Sequence, residues 1–288
     1  MLAACAWAIA AAGTARAGGG AATRIVVAAT RRSSRASLFA VTSSGTLKPL
    51  GRTGPEQTQP ALSPSGTRLA YVQAGRAKCY ECPLSIWISN SDGAGARILT
   101  PPLPGTVSYD GSPSFSPNGA RIVFSRQTDV SYSLYVTSVS GGTPRSLFVP
   151  GVSPSWGPSR IAYLSPPTQA PGPVTLWTID SNGAAPKQIT TGYIVTPDWS
   201  SNGSLAFLDQ PPDAGPTLVV LTGVTLHRYP LPFVQAKALA WAPDGAHLAV
   251  VAQTKRSGPF DVYSVGADGI GIRRLTVGAG AVGVAWSR

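Results

Sequence analysis

The chain has 288 residues, with 23 Lys and Arg against 12 Asp and Glu, a formal net charge of +11 and 43% hydrophobic residues. That apolar content is enough for a packed core and excludes a disordered chain, and no apolar run within the repeats is long enough for a spanning helix. With 32 Gly and 27 Pro but only 12% charged residues, the composition suits many short strands joined by tight turns.

Residues 1–17 read as an export signal. Leu2 to Gly13 is almost wholly apolar, and Thr14-Ala15-Arg16-Ala17 closes the run with a small-x-small pattern before Gly18-Gly19-Gly20, so that 18–23 form a linker. Met1 runs straight into the apolar stretch without a basic leader, so the expected natural start lies upstream of it. Leu2-Ala3-Ala4-Cys5 has the form of a lipobox, but a lipobox cysteine follows the apolar run and Cys5 precedes most of it, which argues against lipid anchoring. The expected destination is periplasmic or extracellular.

From residue 24 onward the chain repeats. Arg24 to Leu50 contains three expected strands, Ile25 to Ala29, Leu38 to Val41 and Thr46 to Leu50, with no strand before them. Then one phrase returns: Leu62-Ser63-Pro64-Ser65-Gly66, Phe115-Ser116-Pro117-Asn118-Gly119, Trp156-Gly157-Pro158, Trp199-Ser200-Ser201-Asn202-Gly203, Trp241-Ala242-Pro243-Asp244-Gly245 and Trp286-Ser287. The anchors lie 53, 41, 43, 42 and 45 residues apart, a period that belongs to four-stranded propeller blades. In the second full unit the four strands are expected at Pro113 to Ser116, Arg121 to Ser125, Ser133 to Val139 and Arg145 to Phe148. The third strands recur as Ile86-Trp87-Ile88, Leu134-Tyr135-Val136, Leu176-Trp177-Thr178, Leu218-Val219-Val220 and Val262-Tyr263-Ser264, and Asp92-Gly93, Gly141-Gly142, Asn182-Gly183 and Asp268-Gly269 supply hairpin turns. A lone last strand, Val284 to Ser287, completes the three N-terminal ones. The expectation is an all-β, six-bladed β-propeller of four-stranded antiparallel blades over residues 24–288, closed 3+1 by the N-terminal strands and the C-terminal strand.

The pattern Ser-Pro-(Ser/Asn/Asp)-Gly-x-(Arg/His)-(Leu/Ile)-(Ala/Val), a strand with a central aromatic, an Asp/Gly-Gly turn and an ending such as Ile98-Leu99-Thr100, Ile189-Thr190 or Leu275-Thr276 resembles the TolB-type, WD-repeat-like propeller family. The resemblance covers roughly residues 24–288 and the propeller portion only. It implies a stand-alone binding module or scaffold whose partner is a protein or envelope-associated ligand.

Cys79-Tyr80-Glu81-Cys82 sits in the insertion that lengthens the first interval. Zinc would need a second ligand pair, and in an exported protein the simplest reading is a disulfide between Cys79 and Cys82. Arg68, Arg121 and Arg160 start second strands, whereas Arg97, Arg145, Lys187, Arg273 and Arg274 fall near outermost ones. Positive charge is thus spread around a rim, which suits protected edges and makes nucleic acid an unfavoured partner. His247 occupies the slot of Arg68 and Arg121, and His227 lies on an outer strand, so no two-histidine metal site or catalytic triad is expected, and no cofactor. Glu81, Asp110, Asp129, Asp209, Asp213 and Asp261 remain as carboxylates that could face a ligand, with Asp110, Asp209 and Asp213 assigned to loops of one face.

The connections from second to third strands, and from fourth strands into the next unit, vary in length and emerge on one face; variable loops on a regular scaffold carry specific roles. Arg76, Tyr80, Tyr109, Asp110, Tyr132, Tyr193, Asp209 and Lys255 are the candidate contact residues there. The alternative use of that face is a small enzyme, a glycan lyase or hydrolase or a peptidase-like protein. A monomer is the favoured oligomeric state.

Overall fold

The computed structural model describes residues 24–30, 35–51, 56–74, 82–102, 105–128, 131–166 and 172–287. The expected export segment, the linker and Cys5 lie outside them. All regular structure among the described residues is β, and no helix there is long and apolar enough to cross a membrane.

The strands fall into six sets of four, written here as units. The first full unit comprises β4 (Gln57–Leu62), β5 (Arg68–Ala74), β6 (Leu84–Asn90) and β7 (Arg97–Ile98), after β1 (Arg24–Ala29), β2 (Ser37–Val41) and β3 (Leu47–Pro49). The second comprises β8 (Tyr109–Phe115), β9 (Arg121–Thr128), β10 (Ser131–Ser138) and β11 (Arg145–Ser146). The third holds β12 (Val152–Trp156), β13 (Ile161–Leu164), β14 (Val174–Ile179) and β15 (Lys187–Gly192), and the fourth β16 (Ile194–Trp199), β17 (Leu205–Asp209), β18 (Thr217–Thr222) and β19 (Thr225–Pro230). The fifth holds β20 (Gln235–Trp241), β21 (His247–Gln253), β22 (Asp261–Gly266) and β23 (Arg273–Arg274), and β24 (Ala281–Ser287) ends the chain. Every unit is an antiparallel meander, and β24 pairs with β1 in the order β24-β1-β2-β3. One parallel bridge, Leu84 with Tyr109, joins the first and second units into a continuous eight-stranded sheet.

The second strands, such as Leu69-Ala70-Tyr71-Val72 and Leu248 to Ala252, are buried on both faces and read as unbroken apolar runs. Their side chains feed six apolar clusters, each shared by two successive units. One joins Val26, Ala28 and Leu38 to Leu69 and Tyr71, and another joins Val27, Ala29 and Phe39 to Ala249, Val251 and Val262. The first strands also touch in sequence, from β4 through β8, β12, β16 and β20 to β24, which in turn contacts β4.

The expected strand positions hold with one systematic difference. First strands begin well before the Pro assigned as their start: β8 opens at Tyr109, not Pro113. Pro has no N–H to donate, and the ladder passes over it by a register shift, between Gly111 and Ser114 here and at equivalent places in β4 and β12, while in β16 the shift falls just before Pro197, which pairs with Phe207. Gln59, Ser112 and Ser153, each immediately before such a Pro, have φ near +50°. The residue after each anchor is usually Ser or Ala, but at Gly157 a Cβ would lie 2.5 Å from the Trp199 ring, so only glycine lets the third and fourth units close to this distance.

Candidate functional site

First strands begin, and second strands end, at the same end of every unit, so the variable connections emerge together there. Tyr109, the first residue of β8, and Tyr132, the second of β10, both face Gln127 of β9 in the ladder, forming one half-buried row across three strands. Tyr193 stands half-buried between β15 and β16, and Lys255 is exposed in the β21–β22 connection. Arg76, Tyr80 and Cys79 lie outside the described residues. Cys82 is disulfide-bonded.

Three of the described carboxylates at this end, Asp110, Asp209 and Asp261, are engaged internally. Asp110 belongs to β8, not to a loop, because that strand starts one residue earlier. It is 2% exposed and accepts two hydrogen bonds from Arg126, at 2.6 Å from Nε and 2.8 Å from the guanidinium Nη2. The Arg126 guanidinium in turn lies over the Phe124 and Tyr135 rings, 5.4 and 5.0 Å from their centroids. Asp209, at the end of β17, accepts from the Tyr193 N–H and from Arg228, both at 3.0 Å. Asp261 is fully enclosed by Thr276, Arg274 and the N–H groups of Gly278 and Ala279. Asp213 is exposed in the β17–β18 connection.

A second region was not singled out by sequence reasoning. Residues of β4, β8, β12, β16, β20 and β24 line a cavity of about 670 Å³, called the channel below, and none of the six described candidate contact residues lines it. The residue before each anchor is Ala61, Ser114, Ser155, Asp198, Ala240 and Ala285 in turn. Where that residue is polar, its side chain reaches the next unit. Ser114 Oγ accepts from the Trp156 N–H at 2.9 Å, Ser155 Oγ from the Trp199 N–H at 3.1 Å, and Asp198 Oδ2 from the Trp241 N–H at 2.9 Å. Ser155 also donates to Asp198 Oδ1 at 3.0 Å, and the Trp241 indole N–H donates to the Asp198 carbonyl oxygen. Asp198 is partly open to the channel yet enclosed by the flanking units, and burial pushes its pKa from 3.8 up to about 6 against the opposing pull of these hydrogen bonds. The signal for it was present in the repeat: of the six equivalent positions, only this one is acidic. Among the described residues no group of His, Cys, Asp and Glu is placed to hold a metal ion.

No protein-family model matches the chain. It is 25% identical, over 242 residues and 73% of its length, to a protein of Streptomyces coelicolor described as a tricorn protease homolog, of which it spans only 20%. Among solved structures, TolB from Acinetobacter baumannii superposes with a TM-score of 0.72 at 17% identity over 92% of this chain and 66% of that one. A TolB-type structure from Agrobacterium tumefaciens follows at a TM-score of 0.66, 16% identity and 88% of both chains. An oligogalacturonate lyase and a puromycin hydrolase also match, at TM-scores of 0.59 and 0.55, so the fold alone does not assign an activity. The chain has the β-propeller fold of the TolB-type repeat proteins.

Proposed function

We propose that this chain is an exported, non-enzymatic, six-bladed β-propeller that binds a protein or envelope-associated ligand through the loop end carrying Tyr109, Tyr132, Tyr193 and Lys255. The observation that carries this reading is the contrast at that end. Tyrosines, which give a large contact area at little entropic cost, are half-exposed, whereas Asp110, Asp209 and Asp261 are each tied to an arginine of their own unit. A carboxylate held in that way is a support for the surface; acid–base work needs one that is free to exchange its proton.

Closure into six blades with a 3+1 seam is supported by the β24-β1-β2-β3 sheet and by apolar clusters on both sides of that unit. A nucleic-acid ligand is not favoured, because Arg97, Arg145, Lys187 and Arg273 are exposed on the outermost strands of four different units and form no continuous groove.

The test is capture of an envelope protein by the immobilised mature chain. Tyr109→Ala with Tyr132→Ala is expected to weaken capture by about ten-fold or more, since interface aromatics typically contribute at least ~1–2 kcal/mol each. Turnover of an oligosaccharide or a peptide that is lost on Asp209→Asn or Asp213→Asn would instead make this end the site of an enzyme.

A further inference from the structure

The channel is built asymmetrically. In the third and fourth units its wall carries Ser153, Ser155, Thr196 and Asp198, whereas β20 and β24 present Ala238, Ala240, Val282 and Val284. One side therefore offers hydroxyls and a carboxylate, and the other an apolar patch bordered by Lys237. A cavity of about 670 Å³ is of the size that encloses a small organic molecule, and a mainly apolar lining with a few fixed polar groups is the usual form of such sites.

Asp198 differs from the other enclosed carboxylates of the protein. Asp110, Asp209 and Asp261 each have an arginine partner. Asp198 has no cation within ion-pair distance among the described residues. Its two oxygens are positioned from behind by the Ser155 hydroxyl and the Trp241 N–H, which leaves lone pairs for a further donor. Lys237, the other ionisable side chain of the wall, has its ammonium 3.9 Å from the centroid of the Phe260 ring. An enclosed carboxylate without a counter-charge is costly, and a cation brought by a ligand would relieve that cost. Burial raises the pKa of Asp198, as expected for a carboxylate held away from water.

We propose that the channel binds a small amphipathic amine, its ammonium group on the Asp198 carboxylate and its apolar body against the wall made by β20 and β24. The site is separate from the loop-end surface and does not depend on it. An ammonium is favoured over a bare metal ion because one carboxylate and several hydroxyls provide too few anionic oxygens for a hard cation. The neighbouring alanines and valines suit carbon in place of a hydration shell.

Trp156, Trp199, Trp241 and Trp286 line the channel, so their fluorescence reports occupancy. The experiment titrates the mature protein at pH 7.5 with cyclohexylammonium, methylammonium and cyclohexanol, following tryptophan emission and heat. Saturable one-to-one binding of cyclohexylammonium is expected. Methylammonium, which lacks the apolar body, and cyclohexanol, which lacks the charge, should each bind about ten-fold or more weakly. Asp198→Asn, with its fold checked by thermal melting, should weaken cyclohexylammonium by about ten- to a hundred-fold, the range for losing a charged hydrogen-bond partner. Absence of saturable binding, equal affinity for cyclohexanol, equal affinity for methylammonium, or unchanged affinity in folded Asp198→Asn would each overturn the proposal. The wild-type comparison of the three probes decides the matter even if the variant does not fold.

Discussion

At Asp110 and Asp198 two carboxylates, in the second and fourth units, meet opposite circumstances. Asp110 is enclosed with a bidentate arginine; Asp198 is enclosed with neutral donors only. Asp110→Ala would leave Arg126 charged and buried without its partner, and a loss of about 3–5 kcal/mol in urea unfolding is expected; a loss under ~1 kcal/mol would mean that the pair contributes little to the fold. Asp198 behaves in the reverse sense with pH. Its pKa is about 6 in the folded protein against 3.8 as the ordinary value, so the fold favours the protonated acid. The associated stability is fully present below about pH 4, declines as pH rises, and is gone above about pH 6, a change of about 3 kcal/mol. The charged or titratable groups on the strands packed around it are Tyr163, Asp209 and Lys237. Asp198→Asn should remove this slope, and urea unfolding of both proteins from pH 4 to 7 measures it; identical slopes would show that Asp198 ionises freely in the folded state.

Among the elements, the strands were readable because each signal is local: apolar runs for second strands, an aromatic at the centre of third strands, and Asn-Gly, Asp-Gly or Gly-Gly turns between them. What escaped was the bulge in the first strands. Counting back from the Phe115–Ile122 pair in an unbroken ladder sets Asp110 opposite Gln127. The shift after Gly111 sets it opposite Arg126 instead, and this one-residue slip turns an apparent loop carboxylate into half of a buried ion pair. The connection between β5 and β6 carries a further expectation. Cys82 is disulfide-bonded, and its partner in the mature protein should be Cys79, three residues before it. Thiol labelling after denaturation without reductant should modify neither cysteine; labelling of Cys79 would exclude this pairing.

For the whole molecule, the decisive contact is between the ends of the chain. β24 gives β1 its ladder partner, from Arg24 with Ser287 to Ala29 with Ala281. Ser287 Oγ also donates to the Ser63 carbonyl oxygen at 2.7 Å, reaching the first full unit. Removing residues 281–288 should expose one side of β1 and open the cluster around Val27 and Ala29, so that the cooperative thermal transition is lost and protease sites appear throughout. A truncated chain that melts as sharply and at the same temperature as the intact one would argue against ring closure. The even spread of arginines around the outer strands is likewise a property of the whole, since no single repeat shows whether its charge joins a groove or a rim.

The sequence by itself determined the all-β character, the order of the strands, the turn positions and the likeness in fold to TolB-type propellers, because all of these are written in residues close together along the chain. Only the tertiary structure decided which carboxylates have an arginine partner and which has neutral donors only, and that residues some forty positions apart line one cavity. Asp198 is ordinary within its own repeat; its raised pKa comes from burial between adjacent units, against the downward pull of the hydrogen bonds from the Ser155 and Trp241 of those units, which fix its place in the wall. Burial and charge pairing are sums over neighbours brought from distant parts of the chain.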